Sequence, residues 1–355
     1  MKIKSIKSWT ADLGNTKPYT IAFKTVDEVN NAFVEITLDN GITGIGAGNP
    51  SEYVTGEYFQ SCADALHENN ISFLVGRDIR ELNQLTFEVW QKFPKNPAAR
   101  AALDIALYDA FTKLLDVPLV KYLGQKIKSL PTSNTIGIKN VEETLKEAQE
   151  YGERGFKVLK IKLGIDLQED IERIVKLREK FGKKFVIRID ANQGYDSAKT
   201  IEFYEKTKHL DVELIEQPLP AKEIDALKKL PDHIRKIIAA DESLLTPMSA
   251  MELVKPPRAT GIFNIKLMKC GGISQALKIA DIGALEGVDL FWGCNDESIV
   301  SITAALHVSF ACANTKYIDL DGSLDLARDV VKGGFILKDG IMSCSDKPGL
   351  GVERI

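Results

Sequence analysis

The sequence predicts an α/β protein in which a closed (β/α)8-type barrel follows a smaller α+β unit. Length is the first observation, because 355 residues suggest two domains unless a barrel of about 250 residues takes most of the chain. The second is a repeat of roughly 26 residues after position 133, in which a strand-like run precedes a helix-like segment. The third is that the residues before this repeat show the apolar/polar alternation and the turn signal of antiparallel strands.

The repeat contains eight strand-like runs, which is the number that favours a closed barrel over an open sheet. They are TIGI at 135, VLKIK at 158, FVIRID at 185, VELIE at 212, KIIAAD at 236, FNIK at 263, LFWG at 290 and YIDLD at 317. Stretches between them, such as 141–155 and 168–182, have apolar residues at helical spacing and end at a glycine. A dinucleotide-binding sheet is disfavoured, because GIGAG at 44–48 does not match the GxGxxG fingerprint.

The first 125 residues indicate an α+β domain. IKSIKSW and NAFVEITL alternate as antiparallel strands do, Asn40-Gly41 marks a hairpin turn, and residues 97–115 have a helical pattern. Near the end of the chain, ILKDGIM signals another hairpin, and PGLGV follows it. We therefore predict three parts: an α+β domain over residues 1–125, a barrel domain over 126–322, and a tail, 323–355, that returns to the first domain.

Composition and charge favour a small-molecule substrate over nucleic acid or a membrane. The 46 Lys and Arg residues nearly balance 50 Asp and Glu, for a net charge of −4, and no block of like charge stands out. No apolar run reaches the roughly 18 residues of a membrane span, and the N-terminus lacks a signal-peptide core. Five dispersed cysteines without a CxxC pair suit reduced thiols. We expect a cytoplasmic protein; its oligomeric state, a homo-oligomer included, stays open.

Three acidic residues predict a metal site at the mouth of the barrel. In this fold the active site forms at the C-terminal ends of the strands, and Asp190, Glu216 and Asp241 end predicted strands 3, 4 and 5. Three converging carboxylates repel one another unless a cation joins them, and oxygen ligands without His or Cys select a hard ion such as Mg²⁺. The alternative is that each acid caps the helix after its strand.

Two lysines predict proton transfer at the same mouth. Lys162 and Lys266 end strands 2 and 6, which face each other across an eight-stranded ring. One lysine can therefore take a proton from one face of a carbon while the other delivers a proton to the opposite face. Removal of an α-proton from a carboxylic acid needs a cation on the carboxylate oxygens, and the metal site supplies it. A lysine base also requires a pKa lowered from about 10.4.

Two pairs of charged residues, each two positions apart on a predicted strand, share a face at the barrel mouth. Lys160 lies two residues before Lys162, and we predict that its charge lowers the pKa of Lys162 and attracts a substrate carboxylate. The alternative is two solvated lysines on an outer face. Asp319 and Asp321 on strand 8 predict a site for a substrate ammonium, with a simple turn before a glycine as the alternative.

Glycines 271 and 272 follow strand 6 and have two readings. They can open a helix N-terminus toward an anion, but a plain tight turn is preferred.

Several motifs together carry a family resemblance. They are RAALDIALYD at 100, KIK at 160, RIDANQ at 188, EQP at 216, ADES at 240, NIKLMKCGG at 264, DLD at 319 and the final PGLGV. Over nearly its whole length the chain resembles the enolase superfamily, in its muconate-cycloisomerase-like branch. The resemblance implies an α+β capping domain over a modified (β/α)8 TIM-type barrel, (β/α)7β. It also implies one Mg²⁺ per subunit on Asp190, Glu216 and Asp241, and acid/base lysines at Lys162 and Lys266.

Within this branch, the DLD motif resembles that of dipeptide epimerases of the L-Ala-D/L-Glu type, whose acids hold the α-ammonium of the dipeptide. The resemblance implies a Mg²⁺-dependent 1,1-proton transfer that inverts the Cα of the C-terminal residue of a dipeptide. Alternatives on the same site are a muconate-type cycloisomerase, an N-acylamino-acid racemase and an o-succinylbenzoate synthase. A rival of another class is an inactive barrel that binds amino-acid derivatives or partners.

Two residues bear on the identity of the dipeptide. Residues 293–298 read GCNDES where the family commonly has G-S-M-x-E-S/T, so Asn295 replaces Met and Asp296 is an added acid. Asp296 favours a cationic second residue. Lys24 lies in the region of the family's specificity loop and favours an acidic one, with an ordinary solvated lysine as its alternative.

Overall fold

A computed structural model describes residues 1–16, 19–21, 24–26 and 28–355, with 19–21 and 24–26 described by their backbone alone. The N-terminal part is an antiparallel sheet of order β1-β4-β5, a separate β2–β3 hairpin and a set of helices. Its strands are β1 (Ile3–Asp12), β2 (Tyr19–Ile21), β3 (Lys24–Val26), β4 (Asn30–Leu38) and β5 (Thr43–Gly48). Its helices are α1 (Glu52–Thr55), α2 (Phe59–Ala65), α3 (Glu68–Ile71), α4 (Leu82–Lys92), α5 (Pro97–Leu114) and α6 (Leu119–Tyr122).

The predicted α+β character of this part is confirmed, and the glycines of β5 have a packing role. Asn40-Gly41 forms the β4–β5 hairpin turn, with Gly41 at φ 87°. A Cβ on Gly46 would lie 1.9 Å from the carbonyl oxygen of Ala102, and one on Gly48 would lie 2.4 Å from that of Ala98. GIGAG therefore lets α5 lie directly on the sheet, because only glycine leaves room for the helix backbone.

The second part is a parallel sheet of eight strands in sequential order, flanked by helices. A short strand, β6 (Leu130–Pro131), precedes it. The barrel strands are β7 (Ser133–Ile136), β8 (Val158–Lys162), β9 (Val186–Asp190), β10 (Val212–Glu216), β11 (Ile238–Ala240), β12 (Ile262–Ile265), β13 (Asp289–Trp292) and β14 (Thr315–Ile318). The intervening helices are α7 (Val141–Glu153), α8 (Leu167–Phe181), α9 (Ser197–Thr207), α10 (Ile224–Lys229), α11 (Asp232–Arg235), α12 (Pro247–Val254), α13 (Leu267–Cys270), α14 (Ile273–Leu285) and α15 (Ile299–Ala311).

The predicted (β/α)7β barrel is confirmed. A parallel bridge between Thr132 and Ile318 brings the eighth strand to the beginning of the first, which nearly closes the ring. In the described residues, tail strands rather than a helix follow β14. Strands β11, β12 and β14 each end just before the polar residue that was predicted to end them. Asp241, Lys266 and Asp319 therefore begin the loops at the barrel mouth.

The C-terminal tail forms two small antiparallel pairs. Its strands are β15 (Val331–Gly333), β16 (Phe335–Lys338), β17 (Ile341–Cys344) and β18 (Val352–Arg354). The predicted ILKDGIM hairpin is β16–β17, which extends to β6. The tail also contacts the N-terminal sheet, where Arg354 binds Glu35 at 2.8 Å. The exact domain boundaries at 125 and 322 stay predictions. None of the helices in the described residues is long and apolar enough to cross a bilayer.

Asp104 on α5 connects the two parts of the chain. Its Oδ1 accepts a hydrogen bond from the backbone N of Ile273 at 2.6 Å, at the start of α14. A Cβ on Gly272 would lie 2.6 Å from the Cβ of Asp104. The Gly271-Gly272 pair, at φ 92° and 109°, therefore turns the chain and also opens a helix N-terminus. The group that binds this terminus is the side-chain carboxyl of Asp104 from the N-terminal part.

We expect the stability of Asp104→Asn relative to wild type to depend on pH. Burial raises the pKa of Asp104 from 3.8 to about 7, so between these values the carboxyl is protonated when folded and ionised when unfolded. Its contribution to stability is fully present below about pH 4 and is lost as pH rises to about 7. Urea unfolding across this range should show wild type losing stability relative to the variant. Parallel pH dependences would contradict the assignment.

Candidate active site

Three buried carboxylates lie side by side at the mouth of the barrel. Asp190 and Glu216 are paired in register at the ends of β9 and β10, and Asp241 directly follows β11. The Oε1 atom of Glu216 accepts from Asn264 Nδ2 at 2.6 Å, whereas its buried Oε2 has no hydrogen-bond partner. Burial, followed by repulsion from Asp190, raises the pKa of Glu216 well above its usual range. An orphaned oxygen in a row of acids is a feature that a bound cation would satisfy.

The two predicted acid/base lysines lie at opposite ends of this row. Lys162 Nζ is 3.2 Å from Asp190 Oδ2 and 3.1 Å from Asn192 Oδ1. Lys266 Nζ is 2.8 Å from Asp241 Oδ2. In the described part of the chain, no three acidic, histidine or cysteine side chains already meet as closely as a shared metal requires. The outer two carboxylates are turned toward these ammonium groups.

Lys160 lies one layer deeper in the barrel than Lys162. Its Nζ binds Asp319 Oδ2 and lies 3.6 Å from Glu216 Oε2, and its side chain is 5% exposed against 20% for that of Lys162. The alternative of solvated lysines on an outer face therefore does not describe this strand. The ammonium is engaged by carboxylates of the chain, and the contact with a substrate carboxylate stays a prediction. Burial disfavours the charged form, but the combined attraction of Asp319, Glu216 and the other nearby carboxylates outweighs it and raises the pKa of Lys160.

Asp319 and Asp321 come together where β14 meets β7. Asp319 Oδ1 accepts from Ser133 Oγ at 2.6 Å, and its other oxygen holds Lys160. Asp321 Oδ2 accepts from the backbone N of Thr135 at 2.8 Å. Burial, with added repulsion from Asp319, raises the pKa of Asp321 to about 7. Of the two acids, Asp321 is therefore the one whose charge is less compensated.

The structure describes the side chain of only one of the two residues that are predicted to select the substrate. Lys24 lies outside the residues whose side chains are described. Asp296 is half-buried in the loop between β13 and α15. The preceding Asn295 donates from Nδ2 to the backbone oxygen of Asn49 at 3.4 Å, which places this loop against the N-terminal domain. Asp296 thus belongs to the rim where the two parts of the protein meet.

Sequence reasoning missed three polar side chains that support the site. Lys269 is buried and binds Asp241 Oδ1 and the backbone oxygen of Asn264, while Asn192 holds Lys162. Asn264 lies two residues before Lys266 on β12, so the alternation of strand side chains could have found it. Lys269 lies in the short helix α13 and Asn192 in the loop after β9, where the two-residue alternation of a strand does not apply.

Comparison with known proteins identifies the family of the chain. Residues 143–354 match the family model described as enolase C-terminal domain-like, and residues 6–124 match that of the mandelate racemase / muconate lactonizing enzyme N-terminal domain. The chain therefore belongs to the enolase superfamily, as the sequence motifs predicted, and the predicted capping domain and barrel are those of this family.

Similar proteins are epimerases and racemases. The chain is 53% identical over 355 residues, the full length of both, to an L-Lys-D/L-Arg epimerase of Desulforapulum autotrophicum. It is 35% identical to an L-Ala-D/L-Glu epimerase of Clostridium acetobutylicum, covering 100% of this chain and 99% of the relative. A dipeptide epimerase of Methylococcus capsulatus, crystallised with Mg and the dipeptide L-Arg-D-Lys, superposes with a TM-score of 0.98 at 50% identity and 99% coverage of each chain. The prediction of an isomerase is confirmed, and the predicted Mg²⁺ agrees with the ion in that structure.

We expect Lys160→Met to cost about 3–5 kcal/mol in the free energy of unfolding, because it leaves the buried carboxylate of Asp319 without its counter-ion. Lys316→Met is the matched control, since Lys316 pairs with Asp289 at 2.8 Å on the protein surface. Loss of such an exposed pair costs below about 1 kcal/mol. Chemical denaturation measures both values. Equal losses in the two variants would show that Lys160 does not compensate a buried charge.

Proposed function

We propose that the protein is a Mg²⁺-dependent dipeptide epimerase that inverts the Cα of the C-terminal residue. The observation that carries the proposal is the placement of Lys162 and Lys266 at the two ends of a row of three buried carboxylates. Asp319 and Asp321 directly follow β14, the strand opposite the middle of that row. A dipeptide whose carboxylate lies at the row and whose ammonium lies at these acids has its second Cα between the lysines.

The residues of the chain divide the chemistry among them. Asp190, Glu216 and Asp241 would hold Mg²⁺, which supplies positive charge for the substrate carboxylate while the α-proton is absent. One lysine takes the α-proton as general base, and the other gives a proton to the opposite face. Asn192 and Asp190 orient the Lys162 ammonium. Asp321 receives the substrate ammonium, since Asp319 is already bound to Lys160.

The dipeptide that we propose carries cationic side chains. Relatives that act on L-Lys-D/L-Arg are 51% and 53% identical to the chain, whereas the L-Ala-D/L-Glu epimerases are 34% to 36% identical. Asp296, at the rim of the mouth, is an acid at the variable position of the family pattern. A carboxylate there favours an ammonium or guanidinium group and disfavours a glutamate side chain. L-Ala-D/L-Glu is therefore the less favoured substrate.

Incubation with L-Lys-L-Arg in D₂O should replace the α-hydrogen of the second residue with deuterium and convert it to the D epimer. Lys162→Ala and Lys266→Ala should each abolish inversion, because each lacks one of the two proton carriers. Each variant should keep exchange only with the epimer that the remaining lysine deprotonates. Chelation of Mg²⁺ should stop exchange in wild type, and added Mg²⁺ should restore it. Proton NMR measures exchange, and chiral chromatography measures inversion.

The outcome that contradicts the proposal is wild-type protein that binds the dipeptide without exchanging its α-hydrogen. Exchange confined to N-acylamino acids would instead favour the racemase alternative, because those substrates lack the ammonium that Asp321 receives.

Asp296→Asn should lower kcat/KM for L-Lys-L-Arg by about tenfold, the loss of one charge-assisted contact of roughly 1.4 kcal/mol. The value for L-Ala-L-Glu should stay the same or rise. Asp289→Asn is the control, because Asp289 lies at the start of β13, at the opposite end of that strand from the loop that carries Asp296. We expect this variant to leave kcat/KM unchanged for both dipeptides. A loss of equal size for the cationic and acidic dipeptides would remove Asp296 from substrate selection.

A further inference from the structure

A buried polar cluster lies directly behind Lys162. It consists of Asp170 and Arg173 on α8 and Tyr195 after β9, which are 0%, 3% and 3% exposed. Arg173 binds Asp170 Oδ1 through Nη2, while Tyr195 Oη donates to Asp170 Oδ2 at 2.6 Å. Buried polar groups with such partners hold a rigid local arrangement, because breaking any one contact leaves a polar group unsatisfied.

The cluster binds the backbone that carries Lys162. Arg173 Nη1 donates to the carbonyl oxygen of Lys162 at 3.3 Å. Asp170 Oδ2, the oxygen that receives Tyr195, also accepts from the backbone N of Gly164 at 2.9 Å. The cluster thus holds the end of β8 on both sides of Leu163, at the carbonyl oxygen of Lys162 and at the backbone N of Gly164.

The same cluster reaches the loop that binds the lysine head group. Tyr195 is three residues from Asn192, whose Oδ1 accepts from Lys162 Nζ at 3.1 Å. Asn192 and Gln193 have φ of 43° and 66°, a left-handed conformation that surrounding contacts must maintain. A Cβ on Gly194 would lie 2.1 Å from the oxygen of Gly164, so the two loops lie backbone against backbone.

We propose that Asp170, Arg173 and Tyr195 are positioning residues for Lys162, which lock the loops after β8 and β9 together so that its amine faces the reacting carbon. This inference rests on the proposed epimerase function. The lock acts on one proton carrier, since Lys266 is held from another side of the mouth by Asp241. A small displacement of one lysine should therefore slow proton transfer on one face of the substrate only.

Tyr195→Phe removes the hydroxyl that joins the loops and keeps the ring. Turnover should fall about tenfold, within the roughly hundredfold loss that a misplacement of about 1 Å can cause. The decisive measurement is the ratio of α-deuterium exchange to inversion in D₂O, taken separately from each epimer of L-Lys-Arg. For the epimer that Lys266 deprotonates, slow delivery by the displaced Lys162 means that Lys266 more often returns a deuteron to the original face. Exchange without inversion then increases, so the ratio rises. For the epimer that Lys162 deprotonates, Lys266 delivers the proton in most turnovers, so inversion dominates and the ratio falls.

Lys162→Ala assigns the epimers, because it still exchanges only the one that Lys266 deprotonates. Tyr151→Phe is the matched control, since it removes a buried hydroxyl that donates to Glu147 at 2.9 Å on α7. Its ratios should equal those of wild type.

Should Tyr195→Phe fail to fold, Arg173→Lys tests the same lock, because it keeps a charge beside Asp170 and loses the contact with the Lys162 carbonyl.

Ratios that stay unchanged, or that move in the same direction for both epimers, overturn the positioning role. Wild-type protein without any exchange overturns the proposed function instead, and the positioning role falls with it.

Discussion

The constraint on which the site depends is the repulsion among carboxylates at neighbouring strand ends. Parallel strands in a nearly closed ring bring Asp190, Glu216 and Asp241 to one edge, where burial disfavours every uncompensated charge. Four lysine ammonium groups, at positions 160, 162, 266 and 269, contact these acids and Asp319. The lysines that we propose for proton transfer are thus also part of the electrostatic balance of the barrel mouth.

Charge compensation explains why the two lysines of β8 have different surroundings. They share a face, but one layer of the barrel separates their ammonium groups. Lys160 lies at the depth of Asp319, whereas Lys162 reaches the mouth and contacts Asp190. Lys160 also connects Asp319 with the row of acids, because it touches Asp319 and approaches Glu216.

The N-terminal domain is held against the barrel by close backbone packing and by polar contacts. The glycines of β5 let α5 approach the sheet, and α5 in turn presents Asp104 to the start of α14. On another side, Asn49 meets Asn295 beside Asp296. The rim of the barrel mouth beside Asp296 is therefore assembled from both domains.

The sequence by itself determined the barrel, its order of strands and the polar residues at or just after five strand ends, because a period of two in strands and a regular βα repeat are local properties. Val158–Lys162 and Val212–Glu216 were predicted to the residue for this reason. The motifs were sufficient to identify the family as well. Only the tertiary structure decided that Lys160 binds Asp319, that Asp104 caps a helix of the other domain, and that Asp170 and Tyr195 join two loops behind Lys162. Each of these contacts links side chains from separate elements, and their partners follow from how the elements pack in space rather than from spacing along the chain.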